Sequence, residues 1–158
     1  MPKQVVYWDS NAFLGLLNGE TDKEQACEDV WVAAERGLIV IVTSTLTVAE
    51  VIYAKGASKL DASKRPLVNN FFRAPHIVQK PLTRHIAELA RDVVWDSNVK
   101  PKDAVHVATS AYFKIREFHT FDEPLLDLKL ITVNGFGVSV QKPYAPRQLE
   151  INHRDEDA

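Results

Sequence analysis

Cysteine is nearly missing from this chain: Cys27 stands alone among 158 residues. A single thiol excludes an internal disulfide framework and fits a reducing compartment. Its setting in an acidic helical pattern reads as a small, buried, apolar side chain. Paired Cys or His at ligand spacing is absent too, which excludes the usual zinc sets. Glycine is sparse, and Gly15, Gly19 and Gly37 do not form a phosphate-cradling loop. No apolar run approaches the ~20 residues that span a bilayer, and the N-terminus lacks a signal-peptide pattern, so the expected location is cytoplasmic, with no membrane. An excess of one charge is lacking as well: 19 basic and 21 acidic residues leave −2, so total charge does not mark a polyanion binder.

What is present fits one domain, large enough to bury roughly 70 % of the surface of its unfolded chain. The boundaries expected are 1–143 for that domain and 144–158 for a C-terminal tail, partly disordered, because Pro143 and Pro146 end regular structure and the extreme C-terminus is acidic. Basic residues are concentrated between Val51 and His85, where Lys55, Lys59, Lys64, Arg65, Arg73, Lys80 and Arg84 face Asp61 as the only acid. Lys55, Lys59, Lys64 and Arg65 are therefore the candidates for contacts to a nucleic-acid backbone.

The stretch Gln4 to Asn11 organises the rest: a short run of β-formers stops at Asp9, as a buried strand does when it delivers a carboxylate to a sheet edge. Helical spacing follows at Ala12, Phe13, Leu16 and Leu17, then a second helix from Thr21 to about Gly37, and a second strand at Leu38 to Val42. Thr43 and Ser44 suit the cap of a third helix, whose stripe of Leu46, Ala49, Glu50, Tyr53 and Ala54 places Glu50 among apolar residues with no Lys or Arg beside it. Further helices are expected at Ala62 to Phe72, Arg84 to Val94 and from Lys102, with strands at Ile77 to Gln79 and Glu117 to Thr120 and a short helix at Glu123 to Leu126. Leu130 to Val133 and Val138 to Val140 flank Asn134-Gly135, so either one is the final strand or both form a hairpin. Strands alternating with helices at this spacing imply a three-layer α/β/α sandwich around a parallel sheet. Ligands of such sheets bind past the carboxyl ends of the strands.

Asp9, Glu50, Asp103 and Asp122 all follow strand ends or open helices. Each has an ordinary role as a cap or a dipole partner. Brought together, they repel by a few kcal/mol per pair at ~5 Å and an effective dielectric near ~20, and a divalent cation removes that cost. Oxygen ligands without Cys or paired His suit Mg²⁺ or Mn²⁺, held by Asp9, Glu50, Asp103 and Asp122. Such a centre suits water attack on a phosphodiester. His106, one turn after Asp103, reads as a hydrogen-bonded core histidine, and Trp8, Tyr53, Phe71, Phe72 and Trp95 read as core aromatics. Ser10 and Ser44 have no His partner for nucleophilic catalysis.

Asp9-Ser10-Asn11, Thr47-Val48-Ala49-Glu50-Val51, Asp103 to Ala111 and Thr120-Phe121-Asp122 stand in this order, and the chain from Val5 to Pro143 resembles the PIN-domain family of metal-dependent ribonucleases. The resemblance implies endoribonuclease activity leaving 5′-phosphate and 3′-hydroxyl ends, with Asp9, Glu50, Asp103 and Asp122 as catalytic acids supported by Asn11 and Thr120. It implies an RNA substrate, Mg²⁺ or Mn²⁺, a homodimer and, for a VapC-type toxin of a type II pair, an antitoxin whose C-terminal segment fills the groove. The basic insert between Glu50 and Asp103 and the tail make the chain longer than a compact toxin. Two rivals are a PIN-fold RNA-binding or RNA-processing protein without a toxin role, and an Asp-dependent phosphoryl-transfer enzyme. The second of these has Asn11 where a dehalogenase-like site places its second Asp.

Overall fold

A computed structural model of the chain describes residues 3–17, 21–53 and 59–145. Its strands are β1 Gln4–Trp8, β2 Ile39–Ser44, β3 Ile77–Lys80, β4 Glu117–His119, β5 Leu130–Val133 and β6 Phe136–Gln141. Its helices are α1 Ser10–Leu17, α2 Thr21–Glu35, α3 Thr45–Glu50, α4 Arg65–Arg73, α5 Arg84–Ser97, α6 Pro101–Tyr112 and α7 Glu123–Leu128, with a 3-10 turn at Ala62–Lys64 before α4. Among the described residues no helix is long and apolar enough to cross a membrane. Residues 146–158, which carry most of the expected tail, lie outside the described part.

One sheet has the order β3-β2-β1-β4-β6-β5. β1 pairs in parallel with β2 and β4, β2 with β3, and β4 with β6, while β5 runs antiparallel to β6. The hairpin alternative for the last two strands is therefore the one that forms. Its turn is Asn134-Gly135, with φ of 48° and 78°, the pair of left-handed residues that a tight two-residue hairpin requires.

Side-chain alternation along β1 divides the core. Val6 and Trp8 pack with Phe13, Cys27, Val30 and Ile41 on one face of the sheet, and Tyr7 packs with Val42, Ile86, Val107 and Phe118 on the other. Both faces are covered, as a parallel sheet demands. Cys27 is buried, its thiol pushed up to about 12 first by burial and then by the charge of Asp9, so it is the inert packing group its sequence context suggests. α5 buries the expected stripe of Ile86, Leu89, Ala90 and Val93. It stops at Asn98, whose left-handed φ of 59° lets its N–H reach the Val94 carbonyl.

The expected stripe of α3 is wrong. The helix ends at Glu50, Thr47 and Val51 are the buried positions, Tyr53 is 60 % exposed, and Ala54 lies outside the described residues. A six-residue helix is too short for a period of 3.6 to set its face, and Val51 leaves helical geometry before the stripe can extend. Trp95, also read as core, is 73 % exposed with Arg91 over its ring at 5.4 Å.

Gly15 is confined where α1 approaches the end of β4. A methyl group there would lie 2.8 Å from Phe121 Cε2 and 3.1 Å from Cys27 Sγ. Gly15→Ala is expected to destabilise the protein by about 1–3 kcal/mol despite the better helix propensity of alanine. Because Phe121 stands between Thr120 and Asp122, the same variant should also slow any reaction at those residues. Urea unfolding checks the first effect, and a stability equal to or above wild type would contradict it.

Candidate active site

The sheet order creates the site. From β1 the chain winds outward through β2 to β3, then returns to place β4 on the other flank of β1. The loops after β1 and β4 thus leave in opposite directions, and a crevice opens between them at the strands' carboxyl ends. Asp9 follows β1, and Thr120 and Asp122 follow β4. α6, which returns toward β4, carries Asp103 in its first turn, where the helix N-terminus favours an anion.

Asp9 is 2 % exposed. Its Oδ1 accepts the Ala12 N–H at 3.2 Å, which caps α1, and it also takes a hydrogen bond from the Thr120 hydroxyl. Burial raises its carboxyl to about 6 against the relief from His106, Thr120 and Ala12, and the charge of Asp103 adds to the rise. Asp103 is raised too, by burial first and then by the charges of Asp122 and Glu50. Asp122 caps α7, its Oδ2 accepting the Leu125 N–H at 3.2 Å, and its own N–H donates to Thr120 Oγ1 at 3.0 Å. Thr120 therefore joins the first acid to the last. Asp103 and Asp122 line one cavity of about 220 Å³ with Lys100, Pro124 and Leu125.

Glu50, which has no Lys or Arg beside it in its expected stripe, is paired with an imidazole. His106 Nε2 lies 2.6 Å from its Oε1, and His106 Nδ1 lies 2.6 Å from the Tyr7 hydroxyl. His106 is the hydrogen-bonded core histidine expected, but its partner is one of the four acids. Sequence reasoning missed Tyr7 altogether. The available signal was its place two residues before Asp9 on the same face of β1, matched by His106 three residues after Asp103 on α6. Asn11 is half-buried in the first turn of α1.

Among the described residues no three His, Cys, Asp or Glu side chains form a ready-made metal cage. The donor set nevertheless fits Mg²⁺ or Mn²⁺, because Mg²⁺ keeps most of its waters and needs only one or two carboxylates. Asp9 and Asp103 supply two, both carrying the excess negative field that a cation relieves.

Lys59, Lys64 and Arg65 line a separate cavity of about 390 Å³ with Val48, Ile52 and Val68, beside the helix that carries Glu50. Lys55 lies outside the described residues.

A model of the PIN domain family matches residues 6–129. The crystal structure of VapC20 from Mycobacterium tuberculosis, a sarcin-ricin loop cleaving toxin, is similar with a TM-score of 0.61 at 14 % identity, over 75 % of this chain and 90 % of that one. A chain of a toxin-antitoxin complex from Klebsiella pneumoniae is similar with a TM-score of 0.58 at 20 % identity, over 89 % of this chain and 99 % of that one. No curated protein matches. At these identities the two solved structures share a fold with this chain.

Proposed function

The chain belongs to the PIN-domain family, and on that premise we propose that it is a divalent-metal-dependent endoribonuclease acting as the toxin of a toxin-antitoxin pair. The observation that carries the reading is the meeting of Asp9 and Asp103 at the switch between β1 and β4, each carboxyl held above its ordinary range by burial and by neighbouring acids. These two would hold Mg²⁺ or Mn²⁺, with Glu50 and Asp122 completing the site. When bound, such an ion lowers the pKa of a water and stabilises the leaving oxyanion.

The chain's own residues do the positioning. The Ala12 N–H and Thr120 hydroxyl orient the Asp9 carboxylate, and the Thr120 contact to the Asp122 backbone keeps the loop after β4 in register with it. Lys59, Lys64 and Arg65 offer cations for the RNA backbone, with Lys55 adjoining them in sequence. A homodimer, a cytoplasmic location and an antitoxin belong to the same reading. The toxin-antitoxin complex from Klebsiella pneumoniae, which has this fold, supports the last of these.

One observation favours a second reading, a non-enzymatic RNA-binding PIN module that keeps the fold but not catalysis: among the described residues the acids do not stand as a closed cage. A single experiment separates the two. Purified protein should cut single-stranded RNA in Mg²⁺ or Mn²⁺, leave 5′-phosphate ends and stop on chelation. RNA binding without cleavage at any metal concentration would select the second reading.

A further inference from the structure

We propose that His106, locked by Tyr7, is a positioning residue that sets the rotamer and the donor environment of Glu50. The inference deepens the nuclease reading and rests on it. Donor directions follow from the chemistry of each group. A carboxylate only accepts, so the imidazole proton facing Glu50 is on Nε2. In the neutral ring Nδ1 is then the acceptor, so the Tyr7 hydroxyl, whose oxygen accepts the Ser44 N–H at 3.1 Å, donates its proton to Nδ1. The line of donation runs Ser44 to Tyr7 to His106 to Glu50, and it joins the end of β2, the middle of the sheet, α6 and the last residue of α3.

Burial makes this line rigid. Tyr7 is fully buried and His106 is 1 % exposed. The Tyr7 ring stacks on Phe118 with centroids 5.1 Å apart and meets the His106 ring edge-on at 5.7 Å. Glu50 itself has no such restraint from its helix, which ends there, and its side chain is 18 % exposed. The imidazole takes one carboxylate oxygen and leaves the other for the site, where Asp103 feels the charge of Glu50. Outer partners of this kind orient a ligand carboxylate, and their loss typically costs about 10–100-fold in metal affinity.

A polar pair that merely fills the core makes a different prediction, and a double-mutant cycle separates the two. Tyr7→Phe, Glu50→Gln and the double variant are compared by calorimetric titration with Mn²⁺ and by cleavage of single-stranded RNA. Tyr7→Phe deletes one oxygen and keeps the ring on Phe118. It should weaken Mn²⁺ binding about 10-fold and lower kcat with KM for RNA unchanged, and it should do neither once Glu50 is already glutamine. His106→Phe should weaken Mn²⁺ binding more than Tyr7→Phe, and His106→Gln should recover part of the loss because its amide can still donate to Glu50. Additive effects in the cycle, or an unchanged Mn²⁺ affinity in folded Tyr7→Phe, overturn the proposal. If His106→Phe does not fold, the Tyr7 cycle decides alone. Wild-type protein that neither binds Mn²⁺ nor cuts RNA removes the nuclease reading itself, whereas wild-type protein that does both with an additive cycle removes only the relay.

Discussion

Asp103→Ala is expected to lower Mg²⁺- or Mn²⁺-dependent RNA cleavage by about 10³-fold or more while leaving the protein folded. Two features make the loss that large. Asp103 is the acid whose carboxyl feels both Asp122 and Glu50, and it is coupled to Asp9, so it stands at the centre of the acidic field. It also sits in the first turn of α6, whose following residues are mostly buried in the core. The fold should survive because the carboxyl is raised rather than depressed: removing it relieves repulsion, and what is lost is a helix-dipole contribution of about 0.3–1 kcal/mol. Initial rates on single-stranded RNA, with circular dichroism as the folding control, test this. Cleavage undiminished in a folded Asp103→Ala protein would falsify the catalytic assignment of the acidic site.

Thermal stability in chelator should fall by roughly 3–6 °C as pH rises from 5 to 8, and Asp9→Asn should abolish much of that fall. The sign follows from the direction of the shift. Asp9 is raised from 3.8 to about 6 in the folded protein, chiefly by burial, so the fold binds its proton more tightly than the unfolded chain does. Stability from this group is fully present below about pH 4 and is lost as pH passes through about 6. A shift of about two units is worth roughly 3 kcal/mol on the alkaline side, of which about half is lost above pH 5. Asp61 and Glu117, held below the usual carboxylate range, affect stability only at more acid pH. Asp103, also raised, slopes the same way as Asp9, and His76, lowered by burial, slopes the opposite way in the same window, so the difference between wild type and Asp9→Asn is the quantity to compare. Mg²⁺ or Mn²⁺ at about 100 times its Kd should return about 2.7 kcal/mol to the wild type at pH 8 and little to Asp9→Asn. Parallel melting curves for the two proteins from pH 5 to 8, with and without metal, would show that Asp9 is neither buried as a charge nor engaged by a cation.

The elements that were legible in advance share one property, a periodic pattern longer than two turns or a strand closed by a stop. α5 exposes one face and buries Ile86, Leu89, Ala90 and Val93 as its spacing requires, and β1 ends where Asp9 begins. The misreadings fall where the pattern is short. α3 has six residues, and its stripe could not extend past the helix end, where Val51 leaves helical geometry at φ −77° and ψ 66°. Leu130 to Val133 and Val138 to Val140 are β-like runs of the kind that leaves pairing open. The positive φ angles of Asn134 and Gly135 close them into a hairpin.

For the site, composition and order along the chain determined which atoms are available: carboxylates at strand ends, no thiol or paired imidazole, and hence a preference for hard divalent cations. Tertiary structure alone decided which of those carboxylates share a field and which is already engaged. The contacts that matter cross 99 residues from Tyr7 to His106 and 56 from Glu50 to His106, and nothing local encodes them. They exist because the parallel sheet sets β1 beside both β2 and β4 and lays α6 across them. The raised carboxyl of Asp9 has the same origin, since desolvation depends on what the rest of the chain packs around a group and not on the residues beside it in sequence.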